Sequence, residues 1–424
     1  MPYGVVAAFV SSVMPNLAER AGIDVGSIGG FSALLFIPSA LLFLYTPVVD
    51  IGPRRKYWLV LVSGIGGACL IAAFLMKLPE HRTAFLVFAF VANLISGLVG
   101  SCNGGLMAVA MPDELRGKAS GWYNVGNLSG GGLSATVAIW MVGHDVAPLT
   151  IGATLAVMMV LPSLAGLVVD EPPQVRSSAR EVFRTTLGDV GRVLFSRSGL
   201  TGIALCLSPV GTAALSNYFS GMSRPYGASP NLVALVTGLG NVGLTALGAL
   251  VGGYLCDRFN RRVLYLASGA LTALCGLMMA VSPRVELTYA IGVTTYALIT
   301  GFCNSSFTAT VLETIGKGGK AAATQYSLFV AAGNSAILYV GLVDTRFDEH
   351  YGVEGVIASD ATLNIAGVAI LAIVFWRLGS FGKWRHPVEQ LDPAADPPVT
   401  APATPEVAAL PAAVARIIDD KEAP

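Results

Sequence analysis

The chain has 424 residues, of which 54% are hydrophobic and only 12% charged, with a formal net charge of zero. Soluble domains carry about 25% charged residues, so this composition excludes an ordinary soluble domain and points to a lipid bilayer as the solvent. The balanced charge leaves no footprint for nucleic acid.

A bilayer-spanning helix needs roughly 20 apolar residues. Apolar runs predict twelve such spans, at 2–19, 28–50, 57–77, 84–110, 119–143, 147–169, 198–221, 230–255, 263–282, 286–312, 321–343 and 361–379. Pro, Gly and charged residues punctuate them. The first run starts at Met1 without a basic n-region, so no cleavable signal peptide is expected. A natural start some residues upstream, or a short first helix, would each account for it.

Lys and Arg gather after the even-numbered spans: Arg54, Arg55 and Lys56; Arg116 and Lys118; Arg176 to Arg197; Arg258, Arg261 and Arg262; Lys317 and Lys320. The opposite loops hold few. The positive-inside rule therefore places these loops and both termini in the cytoplasm, with the protein in the cell inner membrane. Between spans 6 and 7, residues 170–197 form a connector. Its Val182, Phe183, Leu187, Val190 and Leu194 recur at helical spacing opposite arginines, which predicts a helix lying on the membrane surface. Residues 384–424 are rich in Pro and Ala and read as a disordered cytoplasmic tail.

The chain repeats itself. Asp50 is followed by Arg54 and Arg55 in "DIGPRRKYW", and Asp257 by Arg258, Arg261 and Arg262 in "DRFNRRVLY", each between two apolar spans. "SCNGG" at 101–105 answers "FCNSS" at 302–306, and Tyr123 answers Tyr326. The expected architecture is all-α: a polytopic membrane protein with two pseudo-symmetric six-helix bundles, 1–169 and 198–383. The repeated charges read as gates, because separating a partly buried ion pair leaves a charge uncompensated.

"PVVDIGPRRKYW" and "GGYLCDRFNRR" resemble the signature of loops 2–3 and 8–9 in the major facilitator superfamily. The first copy departs from the pattern, with Thr46-Pro47 where glycine is common and Pro53 inserted before the arginines. "GIDVGSIGGFSALLFIPSALLFLYTPVVD" and "KASGWYNVGNLSGGGL" are similar to the branch of bacterial muropeptide permeases and acetyl-coenzyme A transporters, as is "CNSSFTAT" with "AAATQYSLF". The resemblance extends to about residue 380. It implies secondary active transport by alternating access, commonly proton-coupled, around a cavity lined by spans 1, 4, 7 and 10. The substrate it suggests is a muropeptide-like sugar-peptide; a siderophore or other small solute is the alternative.

Polar stripes on the spans supply candidate substrate contacts: Asn93, Ser96 and Asn103; Ser208, Thr212 and Ser216; Thr300, Asn304 and Thr308. Amides and hydroxyls suit a ligand rich in the same groups, although interhelical hydrogen bonds use them equally. Span 5 adds Tyr123, Asn124 and Asn127, and span 11 adds Gln325, Tyr326 and Asn334, where rings beside amides can stack on sugar faces. Trp122 reads as a membrane-belt residue. Glu313 is the proton-coupling candidate, with a cytoplasmic salt bridge as its other reading. Glycine pairs such as Gly248 and Gly252, and the cluster Gly126 to Gly132, suit close helix approach and sliding of the halves. The six cysteines read as small buried hydrophobes. His81, His144, His350 and His386 show no metal-ligand or catalytic spacing, so no enzyme, metal or cofactor is expected. The expected partners are a small solute, the lipid bilayer and protons, with the protein a monomer.

Overall fold

A computed structural model describes residues 1–23, 25–51, 53–171, 197–315 and 322–377. The described elements are all helical. Among them, seven helices are long and apolar enough to cross a membrane, or eight if the bent pair Gly30–Ala40 and Leu42–Asp50 counts as one span. The expected surface helix at 182–194, Lys317, Lys320 and the tail lie outside the described residues.

Helix α1 runs through Pro2–Ala8, a π turn at Phe9–Val13 and Met14–Arg20. Pro15 has no N–H to give to Ser11, and the wider turn absorbs that missing bond. Helix α2 comprises Val25–Ala40, Leu42–Tyr45 and a 3-10 turn at Thr46–Asp50. Its 49° bend follows Pro38. Helices α3 (Arg55–Leu75) and α4 (Arg82–Ala110) pack along each other. Helix α5 joins Arg116–Asn124 to Gly130–Gly143 through a second π turn, Val125–Ser129. Helix α6 is Pro148–Leu164.

Helix α7 starts as Arg197–Cys206, breaks, and resumes with Ala214–Tyr218 and Phe219–Met222. Helix α8 comprises Pro230–Thr237 and Leu239–Cys256. Helix α9 (Arg261–Val281) is capped by Asn260, whose Oδ1 accepts from the backbone N–H groups of Arg262 and Val263. Helix α10 is Glu286–Ile315. The last run, Ala322–Arg377, is interrupted at Gly352, where φ is 62°, a value that favours glycine. It thus divides into α11 (322–351) and α12 (353–377).

Two expectations are corrected here. Span 7 was expected to be one helix over 198–221, but Pro209 and Gly211 break it. Residues 344–360 were expected to form a loop, but helix continues through them on both sides of Gly352.

One apolar core draws on α1 to α6, around Phe9, Met14, Leu70, Phe85 and Met159. Two more fill the second half, around Phe329 and Phe375 and around Tyr289 and Tyr296. Leu61, Val157, Ile291 and Ile370 instead point outward and exposed. Lipid is the environment in which such an apolar exterior is stable. Trp122 is also on that exterior. The cysteines are free and, except for the half-buried Cys69, buried.

Candidate functional site

The two halves meet at the face carrying the repeated charges, hereafter the arginine face. Asp50 ends α2 in the first half. Its Oδ1 accepts from Arg55 Nε at 2.9 Å and Nη2 at 2.6 Å. Its Oδ2 accepts from Thr324 N at 2.9 Å and Oγ1 at 2.7 Å. The carboxylate thus pairs with its own half's arginine and caps the first turn of α11 in the other half, where the helix dipole favours an anion.

Asp257 mirrors this from the second half. Its two oxygens accept from Gly117 N at 2.6 Å and Lys118 N at 2.9 Å, at the start of α5. Arg261 stands 3.8 Å away and donates to Asp113 O at 2.5 Å. Burial pushes the Asp257 carboxyl above the usual carboxylate value, while the two backbone amides and Arg261 pull it back. Arg55 and Arg261 therefore accompany the capping carboxylates. The other expected gate residues differ: Arg258 lies over the Tyr254 ring at 4.2 Å, and Arg262 pairs with Glu313 at 3.4 Å. Arg54 is the N-cap residue of α3.

Glu313 is 40% exposed and also lies 3.6 Å from Arg261. The sequence therefore put its first proton candidate in an exposed salt-bridge cluster. Two buried charged residues at this face escaped the sequence reading. Glu171 is buried, and its carboxylate accepts from the backbone N–H groups of Arg55 and Lys56 at 3.1 Å and 3.2 Å. Arg116 is 2% exposed and donates to Leu312 O across the halves at 3.0 Å.

Small residues permit this closure. A Cβ on Gly105 would fall 2.9 Å from Arg55 Cδ and 3.0 Å from Ala323 Cβ. One on Gly253 would fall 2.8 Å from Gly121 Cα. Gly104, against Tyr326, and Gly117, against Asp257, likewise meet the other half. Gly248 and Gly252 instead pack on α10 within one half, and Gly126, Gly130 and Gly131 pack on α1. Of that cluster, Gly132 alone faces α8, at Val242. Away from the arginine face, a Cβ on Gly30, Gly243 or Gly341 would meet nothing within 4 Å.

Between the halves lies a cavity of about 240 Å³. Tyr123, Asn124, Asn127, Ser208, Thr212, Asn304, Thr308 and Tyr326 line it, with Asn334. Tyr123 and Tyr326, the matched positions of the repeat, meet edge to face with ring centroids 6.5 Å apart. Asn124 Nδ2 donates to Asn304 O at 3.3 Å and Thr308 Oγ1 at 3.1 Å, joining α5 to α10. Asn127 Nδ2 and Thr212 Oγ1 are buried and have no hydrogen-bond partner. No Lys, Arg, His, Asp or Glu is among the lining residues.

The remaining expected contacts lie elsewhere. Asn93 Nδ2 donates to Leu35 O at 2.5 Å and holds α2 to α4. Ser216 Oγ donates to Ala213 O in its own turn. Asn103 and Gln325 are outside the lining set. Ser96 bonds to Tyr3 O in α1.

No curated protein matches the chain in sequence. Solved structures do match in fold. The human organic anion transporter MFSD10 superposes with TM-score 0.65 at 15% identity, over 87% of this chain and 96% of that one. The E. coli fucose:proton symporter gives 0.63 at 13%, over 88% and 96%. The proton:xylose symporter XylE, bound to 6-bromo-6-deoxy-D-glucose, gives 0.61 at 13%, over 89% and 92%. At such identities the likeness establishes fold alone. The family is carried by the Major Facilitator Superfamily model, which matches residues 2–341; with its mirrored Asp–Arg motifs and its cavity between two halves, the chain belongs to the major facilitator superfamily.

Proposed function

We propose that this protein is a secondary active transporter that carries a small polar solute across the cytoplasmic membrane by alternating access, coupled to protons. The carrying observation is the pair of orphaned polar atoms at the cavity, Asn127 Nδ2 and Thr212 Oγ1. A buried unpaired polar group costs about 1–3 kcal/mol. A solute hydroxyl or carbonyl that meets both atoms recovers that cost, which gives the site its selectivity.

The solute class follows from the lining. Amides, hydroxyls and two tyrosine rings suit a neutral sugar, and an acetamido group matches the asparagines. A volume of about 240 Å³ suits one sugar ring with its substituent. A muropeptide-like sugar-peptide would enter by its acetamido-sugar end and extend its peptide toward the open side. The uncharged lining gives an anionic siderophore no counter-charge, so that alternative has less support. In this reading the gates at Asp50 and Asp257 are shut, and the cavity is loaded from the opposite face.

A thermal-shift screen on the purified protein tests this. N-acetylated sugars and cell-wall sugar-peptides should raise the melting temperature, and Asn127→Ala should abolish the shift. A ligand present at 100 Kd stabilises by about 2.7 kcal/mol. Stabilisation by siderophores or acyl-coenzyme A alone would overturn the sugar reading.

A further inference from the structure

The second half buries two carboxylates that the cavity does not use. Asp344 of α11 and Asp360 of α12 are both 0% exposed. Ser359 Oγ lies 2.5 Å from Asp344 Oδ1, while Asp344 Oδ2 is enclosed and has no hydrogen-bond partner. Tyr296 OH of α10 reaches both oxygens of Asp360 at a long 3.4 Å. The other titratable group acting on Asp360 is Cys275 of α9. From α7 only a backbone group faces the pair: the Leu215 amide, whose dipole favours the charged Asp360 carboxylate. Among the described residues, no cation acts on either acid.

Two uncompensated anions this deep are disfavoured both by lost hydration and by mutual repulsion. Such a pair shares at least one proton. A metal ion suits the place less well. It needs several converging oxygens, and Asp344 Oδ2 is the one carboxylate oxygen here without a partner.

The pair also grips the broken helix. Asn364, one turn beyond Asp360 on α12, accepts from Gly211 N at 3.0 Å and donates to Asp360 O at 2.9 Å. Thus α12 holds the Gly211 edge of the break in α7 and brings Asp360 to face the Leu215 edge. Between them Gly211 and Ala213 have positive φ, 69° and 58°, and for alanine that conformation is strained. Ser208, Gly211 and Thr212 of the same break line the cavity.

We propose that Asp344 and Asp360 form a proton-binding pair whose loading loosens the break in α7 and so links one proton to the cavity wall. A proton on Asp360 removes the charge that attracts the Leu215 amide dipole, and Asn364, bonded to both Asp360 O and Gly211 N, ties the same turn of α12 to the break. The coupling role rests on the transporter reading; the titration and its effect on α7 do not.

Hydrogen exchange with mass spectrometry on the full chain in nanodiscs tests this without any solute. After scaling for intrinsic chemistry, amides of 211–215 should exchange about fivefold faster in mildly acidic than in mildly alkaline buffer, the equivalent of about one hydrogen bond. Asp360→Asn should give one exchange rate in both buffers. Asp344→Asn should keep the response but move its midpoint to more acidic buffer, because the rival charge is gone. A wild-type segment indifferent to pH, or a full response in Asp360→Asn, would overturn the proposal. Should the variants fail to fold, infrared spectra of the wild type provide the readout: a buried protonated-carboxyl band should weaken as the buffer turns alkaline, and its absence at every pH overturns the pair. A negative result here removes the proton pair and leaves the carrier reading, which stands or falls on the sugar-dependent melt.

Discussion

Asp50 serves both halves at once, and its two roles can be separated by substitution. Thr324→Val removes one hydroxyl donor to the carboxylate and leaves the backbone N–H in place. A hydrogen bond to a charged group contributes about 1.5–3 kcal/mol, so this variant should weaken closure at the arginine face modestly. Asp50→Asn goes further, because it leaves the 3% exposed Arg55 with Glu171 as its remaining carboxylate. Breaking a buried pair costs about 3–5 kcal/mol. The melting temperature should fall in the order wild type, Thr324→Val, Asp50→Asn; equal melts would remove the capping role. Sequence spacing located Asp50 and Asp257 because the motif is local and repeated. It could not locate Glu171, which meets Arg55 from 116 positions away. It also missed Asp360, because residues 344–360 fall between the predicted spans and in fact extend two helices that bury the acid.

At the level of elements, spans 3 to 6 and 8 to 10 were legible from apolar runs of the right length, since backbone in lipid has few options besides helix. Interruptions were less legible. The break in α7 has a signal in "SPVG", where Pro209 and Gly211 follow Ser208, but an apolar run on either side hides it. The π turn of α1 has its mark in Pro15, which the apolar run around it hides in the same way. Glycine was legible as a small residue but not by direction. Gly248 and Gly252 face their own half, while Gly121 and Gly253 form the joint between α5 and α8. Gly253→Ala should therefore wedge the two helices apart, because its Cβ would meet backbone of α5 that cannot give way as a side chain would. Gly243→Ala, with nothing within 4 Å, should be silent. Spin labels on α5 and α8 at the arginine face should report a longer distance in the first variant and an unchanged one in the second. An unchanged distance in Gly253→Ala would mean that the halves do not need this contact to close.

At the scale of the whole molecule, the two capping carboxylates act in parallel. Asp50 reaches from the first half to α11, and Asp257 from the second half to α5, so opening the arginine face breaks both contacts together. Their contributions then add in the closed state, and losing either shifts the balance toward the opposite arrangement. Accessibility to a membrane-impermeant thiol reagent makes this measurable, against a low background from native cysteines that are mostly buried. In right-side-out vesicles Gly341→Cys, which meets nothing within 4 Å and lies one turn beyond the cavity-lining Ile337, should label readily from the face opposite the arginines. Ser120→Cys, buried where its hydroxyl reaches Ser305 O across the halves, should resist reagent applied from the arginine face. Adding Asp50→Asn and Asp257→Asn should expose position 120 to that face and reduce labelling at 341, because one cavity cannot be open to both sides in the proposed alternating access. A 1.4 kcal/mol change in the balance is a tenfold change in population, so even a partial loss of capping should register clearly. Simultaneous strong labelling of both positions would instead describe a channel-like path, and with it the two-gate account would fall.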